Sequence, residues 1–179
     1  MSLRSLHLLG SPALRERTRQ VEKPNDALRQ LVADLFETMY AAKGVGLAAN
    51  QIGELDRVAV IDVGDGEPLA MINPVIVGQS GEDAAEEGCL SIPELYEEVT
   101  RAWTVEVEAL NQEGGPIRIA AEGLKARALQ HEIDHLDGIL FIDRVSPMRR
   151  RLLLAKWRRQ RKGEKGYLKE IVPEATQRS

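Results

Sequence analysis

The chain has 179 residues, 43% hydrophobic and 29% charged, with a net charge of −4, which suits a folded domain with its own core. Its apolar stretches are too short for a membrane span, and its N-terminus lacks the long apolar run of a secretory signal, so no membrane association is expected. The only cysteine, Cys89, excludes an internal disulfide and points to a reducing, cytoplasmic setting.

In chain order, Pro24-Asn25-Asp26 reads as a helix start. Leu28, Leu31, Val32, Leu35 and Met39 then follow at helical spacing, and the helix is expected to reach about Lys43 and stop at Gly44 as a C′ glycine. Segments 57–63 and 69–77 read as strands, the second interrupted at Pro74, with a turn at Gly64-Asp65-Gly66 between them. Over 104–110, Val105 and Val107 alternate with Glu106 and Glu108, the pattern of a half-buried antiparallel strand. Gly114-Gly115 turns the chain into a further strand at 116–121. A helix is expected from Gly123 to Gly138, and another from Pro147 to about Lys162. This is an α+β order, not an alternating βαβ order.

The sharpest chemical pattern lies on the expected helix: His131-Glu132-Ile133-Asp134-His135. Residues four apart share a helix face, so two imidazoles can reach one metal ion while Glu132 touches a water beside it. Two of the chain's three histidines are here, and the third, His7, reads as a strand-edge or packing residue. An ordinary catalytic site needs a third protein ligand. Downstream there is no further His, and Asp137, Asp143, Glu164, Glu170 and Glu174 have no suitable helical context. Upstream, Cys89 in Glu87-Gly88-Cys89-Leu90-Ser91 is either a small buried residue or the thiolate of a His2Cys set, which would suit zinc, iron(II), cobalt or nickel.

Gly44 to Gln51 (GVGLAANQ) has glycines spaced like a dinucleotide fingerprint, but it follows a helix where that fingerprint must follow a strand, so no nucleotide cofactor is expected. On its own residues it reads as a C-cap with a tightly packed connection, ahead of a substrate-facing loop with Gln51 aimed at an oxyanion.

Together, Gly44–Gln51, Glu87–Ser91 and Gln130–His135 resemble, in order and spacing, the three signature motifs of peptide deformylases. Gly10–Arg15, with Ser11 where Asp is common, Ile72-Asn73-Pro74 and His135–Gly138 extend the likeness to about residues 5–146. The resemblance implies antiparallel sheets around a central HExxH helix, with a C-terminal helix. It implies hydrolytic removal of the formyl group from N-formylmethionine on nascent polypeptides. It makes Cys89, His131 and His135 ligands of one divalent metal, iron(II) natively, with zinc, nickel or cobalt able to replace it. Glu132 becomes the general acid/base, and Gln51 with the Leu90 backbone N–H the oxyanion donors. Val45, Gly46, Glu87, Gly88, Leu124 and the His131 ring would border the methionine pocket, with Tyr96 at the entrance.

Charge divides the chain into an expected catalytic domain, 1–148, and a basic C-terminal helix and tail, 149–179. The first part holds 13 Lys/Arg against 25 Asp/Glu and the second 11 against 3. A basic segment on an enzyme of nascent chains could dock on the ribosome or be a solvated face. Two rival functions follow from parts of the pattern. HExxH alone fits a zincin-like metallopeptidase, and the tail alone fits a non-enzymatic RNA-binding module.

Overall fold

Asn25 opens the first helix, its side chain accepting the Leu28 N–H at 2.8 Å. In the computed structural model, which describes residues 2–173, this helix is α1, Asp26–Ala41. It follows a short strand β1 (Leu6–His7), so His7 sits in a strand as expected. The last residues of the tail, Glu174 among them, lie outside the described residues. The expected C′ glycine is displaced: the left-handed residue after α1 is Lys43, with φ 59°. Gly44 serves packing instead, because a Cβ there would lie 2.5 Å from Leu90 Cδ1.

Beyond α1 come β2 (Gly46–Ala48), β3 (Val58–Ile61) and β4 (Leu69–Ser80). Pro74 does not end β4. The register shifts between Ile72 and Val75, Asn73 takes φ 53°, and the Asn73 side chain bonds both the N–H and the carbonyl of Val21. A hairpin of β5 (Asp83–Cys89) and β6 (Ile92–Arg101) was not foreseen. Then follow β7 (Thr104–Leu110) and β8 (Pro116–Glu122). Helix α2 (Gly123–Leu136) leads through a 3-10 turn to α3 (Pro147–Gln160), and the described chain closes with β9 (Leu168–Lys169).

All strand pairing in the sheets is antiparallel. The main sheet runs β2-β3-β4-β7-β8, the β5-β6 hairpin forms a second, and β1-β9 a third. Val105 and Val107 point inward as their alternation required, against Ala126, Leu129, Ile133 and Leu136 of α2. A second cluster joins Leu28, Leu35 and Met39 of α1 to Leu47, Val58 and Val60. A third seats Leu153 and Trp157 of α3 against Ile92, Leu95, Val99 and Phe141. Helix α2 is therefore sheathed on nearly every side. No helix among the described residues is long and apolar enough to cross a membrane.

Candidate metal centre and active site

The C-terminal carbonyls of α2 are satisfied by side chains from elsewhere in the chain. Thr18 Oγ1 donates to the Leu136 carbonyl at 2.9 Å and Asn50 Nδ2 to that of His135, while Arg57 Nη1 holds the Asp137 carboxylate at 2.7 Å. These bonds fix the helix end on which His131, Glu132 and His135 stand.

Across from that end, the β5-β6 hairpin delivers Cys89. Its sulfur lies 3.3 Å from His135 Nε2, which lies 3.1 Å from His131 Nε2. The three donor atoms all fall within 4.8 Å of one another. Facing imidazole nitrogens and a sulfur, all turned to one point in a largely buried setting, are the donor set of a His2Cys metal site.

The second layer around these ligands is ionic. His131 Nδ1 contacts Glu87 Oε1 at 2.7 Å, which turns Nε2 toward the other ligands. Arg101 grips both Glu87 oxygens, at 2.8 and 2.9 Å, and Arg127 adds a bond at 2.7 Å. Arg101 also reaches Asp134 at 2.6 Å, and Arg144 holds both oxygens of that carboxylate. Burial opposes the Glu87 charge, but the bonds from Arg101 and His131 hold its carboxyl well below the usual range. Burial likewise opposes a charge on His131, yet Cys89 and Glu87 raise its pKa well above the ordinary value. Burial and the positive charges of His131 and Arg101 push His135 down, favouring the neutral ring that ligates metal.

Glu132 is the buried carboxylate without such support. Its Oε2 has no hydrogen-bond partner among the described residues, and burial raises its pKa to about 7. Gly46 lies against it, so closely that a Cβ at that position would collide with Oε1. Gln51 is oriented by its own loop: Oε1 accepts the Ala48 N–H at 2.9 Å. Its Nε2 is thereby turned to Ser91 Oγ at 3.0 Å and to the Cys89 sulfur at 3.7 Å. The segment 44–51 is thus a strand and a 3-10 turn facing the site, not only a connection.

Every sequence-derived site residue except His135 lines one cleft of about 760 Å³. Val45, Gly46, Gln51, Glu87, Gly88, Cys89, Leu90, Tyr96, Leu124, His131 and Glu132 all border it. Val45, Tyr96 and Leu124 are exposed on its rim, whereas both Glu87 oxygens are consumed by Arg101, Arg127 and His131. Of the downstream carboxylates, Asp137 is engaged by Arg57 and Asp143 by Arg15 and Arg150. Sequence reasoning missed Arg101, Arg127, Asn50 and Ser91, and no local signal marks the two arginines as buried.

The family model for polypeptide deformylase matches residues 3–151. The chain belongs to that family. A peptide deformylase of Pelotomaculum thermopropionicum is 52% identical over 142 residues, covering 79% of this chain and 91% of the relative. Another, of Brucella suis biovar 1, is 46% identical over 164 residues, covering 89% and 94%. The crystal structure of a peptide deformylase from Legionella pneumophila matches with a TM-score of 0.85 at 44% identity, over 90% of this chain and 96% of that one. The chain is accordingly a metal-dependent hydrolase that removes the N-formyl group from polypeptides, with a Cys/His/His triad for a divalent ion.

Proposed function

We propose that Cys89, His131 and His135 hold the ion, natively iron(II), and that the adjoining cleft takes the N-formylmethionine of newly made chains. The observation that carries this assignment is the convergence of those three donor atoms beside a buried, unpartnered Glu132 oxygen. When bound, the metal supplies the Lewis acidity that makes a hydroxide nucleophile available near neutral pH. Glu132 accepts the proton of the attacking water and passes it to the departing amine, for which a pKa near 7 is well placed. The Gln51 amide and the Leu90 backbone N–H receive the negative charge that grows on the formyl oxygen. Val45, Gly46, Glu87, Gly88, Leu124 and the His131 ring border the methionine side chain, Tyr96 stands at the rim, and the peptide backbone pairs along Val45 and Gly46.

The test is an assay of the metal-loaded protein on formyl-Met-Ala-Ser, following formate and peptide together. Formate equal to the peptide consumed, with no internal cleavage, is expected. Cleavage without formate would make the protein a peptidase. Glu132→Gln should keep its metal and lose most turnover; near-normal turnover would remove Glu132 from the mechanism.

We also propose that α3, at the head of the basic 149–179 segment, docks on ribosomal RNA. Arg149 and Arg150 pair with Glu97 and Asp143, but Arg151, Lys156, Arg158 and Arg159 are exposed without an ion pair among the described residues. Such a cluster suits phosphate contact. Because Leu153 and Trp157 belong to the core, the test uses charge changes instead of deletion. Replacing these four cations with Ser should abolish salt-sensitive co-sedimentation with ribosomes, and retained co-sedimentation would refute the docking.

A further inference from the structure

We propose that the strap formed by residues 169–172 is the outer wall of the substrate cleft and selects apolar side chains in the peptide beyond formylmethionine. The inference rests on the deformylation reading above.

The strap lies beyond residues 3–151, the span that the family model matches. It is nonetheless well anchored. After α3, two glycines with positive φ, Gly163 and Gly166, reverse the chain, and Arg161 Nη2 holds the Gly166 carbonyl at 2.8 Å. The Leu8 N–H donates to the Tyr167 carbonyl at 2.7 Å, and β9 pairs with β1, Leu168 opposite His7 and Lys169 opposite Leu6. The Tyr167 ring lies over Gly10, where any Cβ would collide with it. This pairing carries the next residues to the mouth of the cleft. Lys169, Glu170, Ile171 and Val172 line the same cleft as His131 and Glu132.

The chemistry of the wall follows from its neighbours. Ala42, Leu90 and Ile171 are partly buried side chains on one core cluster, and all three also face the cleft. Val172, 42% exposed, extends the surface outward. Lys169 and Glu170 are exposed charges of opposite sign, so the apolar part of the wall is Ile171 and Val172, beside Ala42 and Leu90. It begins at Leu90, next to the ligand Cys89, and ends at Val172. A cleft of about 760 Å³ has the volume of a drug-sized ligand, more than one side chain needs. An extended peptide advances roughly 3.3 Å per residue, so side chains a few residues past the methionine reach the strap.

The experiment compares kcat/KM of the metal-loaded full chain for formyl-Met-Ala-Leu-Leu and formyl-Met-Ala. Val172→Asp should lower the ratio of long to short peptide about fivefold, the effect of setting a charge against an apolar contact at a half-exposed site. Val172→Leu should keep the ratio within about twofold. Partial unfolding would lower both rates equally and leave the ratio unchanged. An unchanged ratio in Val172→Asp, or an equal fall in Val172→Leu, overturns the proposal. If the unaltered chain released no formate from either peptide, the deformylation reading would fall instead.

Discussion

One side chain at the centre, Glu132, stands where it does because of a missing atom. Gly46 has no Cβ, and that vacancy admits the Glu132 carboxylate to the end of the cleft. Gly46→Ala should therefore displace Glu132 without touching a metal ligand. We expect kcat/KM for formate release to fall by about tenfold or more at unchanged metal content. Gln51 is the complementary case. Its amide is held by Ala48 on one side and turned to Ser91 and Cys89 on the other. Gln51→Leu keeps the volume and removes the donor, so it should cost about a hundredfold in kcat with little change in KM. A large rise in KM alone would make Gln51 a binding residue only.

At the scale of elements, the active site is a junction between α2 and the β5-β6 hairpin. Little apolar surface joins them there, and the connection is ionic: Arg101 from β6 bridges Glu87 of β5 and Asp134 of α2. Side chains of Arg101 and Glu87 are each only 5% exposed, so removing Arg101 leaves a buried Glu87 charge with Arg127 and His131 as its remaining partners. Arg101→Ala should destabilise the metal-loaded protein by about 1.5–3 kcal/mol in denaturant titrations, since Arg127 and Arg144 still hold the two carboxylates. It should also weaken metal binding roughly tenfold, because Glu87 is held less firmly against the His131 ring. Wild-type metal affinity in this variant would make the network structural only.

Across the whole molecule, the N-terminus is tied to α1 through Asp34, which accepts bonds from the Ser2 N–H at 2.9 Å, Gln30 at 2.8 Å and Arg4 at 3.3 Å. Burial works against the Asp34 charge, but these donors outweigh it and hold the pKa below the ordinary 3.8. A carboxyl lowered in the folded state stabilises fully above its unfolded pKa and loses that contribution as pH falls through the folded value. Asp34→Asn should thus melt below the wild type at pH 7, with the gap narrowing below about pH 4. A gap that is constant with pH would assign the loss to packing.

How far each part was legible depended on the range of the forces behind it. Local periodicity located α1, α2, α3, β7 and β8, because helix and strand alternation are short-range properties of the residues themselves. HExxH singled out His131, His135 and Glu132 for the same reason: helical spacing sets the two histidines on one face with Glu132 next in sequence. The β5-β6 hairpin escaped notice because β5 sets Ala84-Ala85 and Glu86-Glu87 as doublets without alternation, while Ile92, Leu95 and Val99 of β6 fall at helix-like spacing. Its stability comes from pairing, from its own Arg101 and from Arg127, which reaches Glu87 and the Val99 carbonyl from α2. Gly44 showed the same limit, since a glycine after a helix suggests a cap, and only the approach of Leu90 reveals a packing role. The chain's local order thus set its helices, its metal motif and its family likeness. Tertiary structure alone brought Cys89 within 3.3 Å of His135, buried the Arg101 network and laid the 169–172 strap along the cleft. Each of these contacts joins residues far apart in sequence, and no local pattern encodes the free energy of bringing them together.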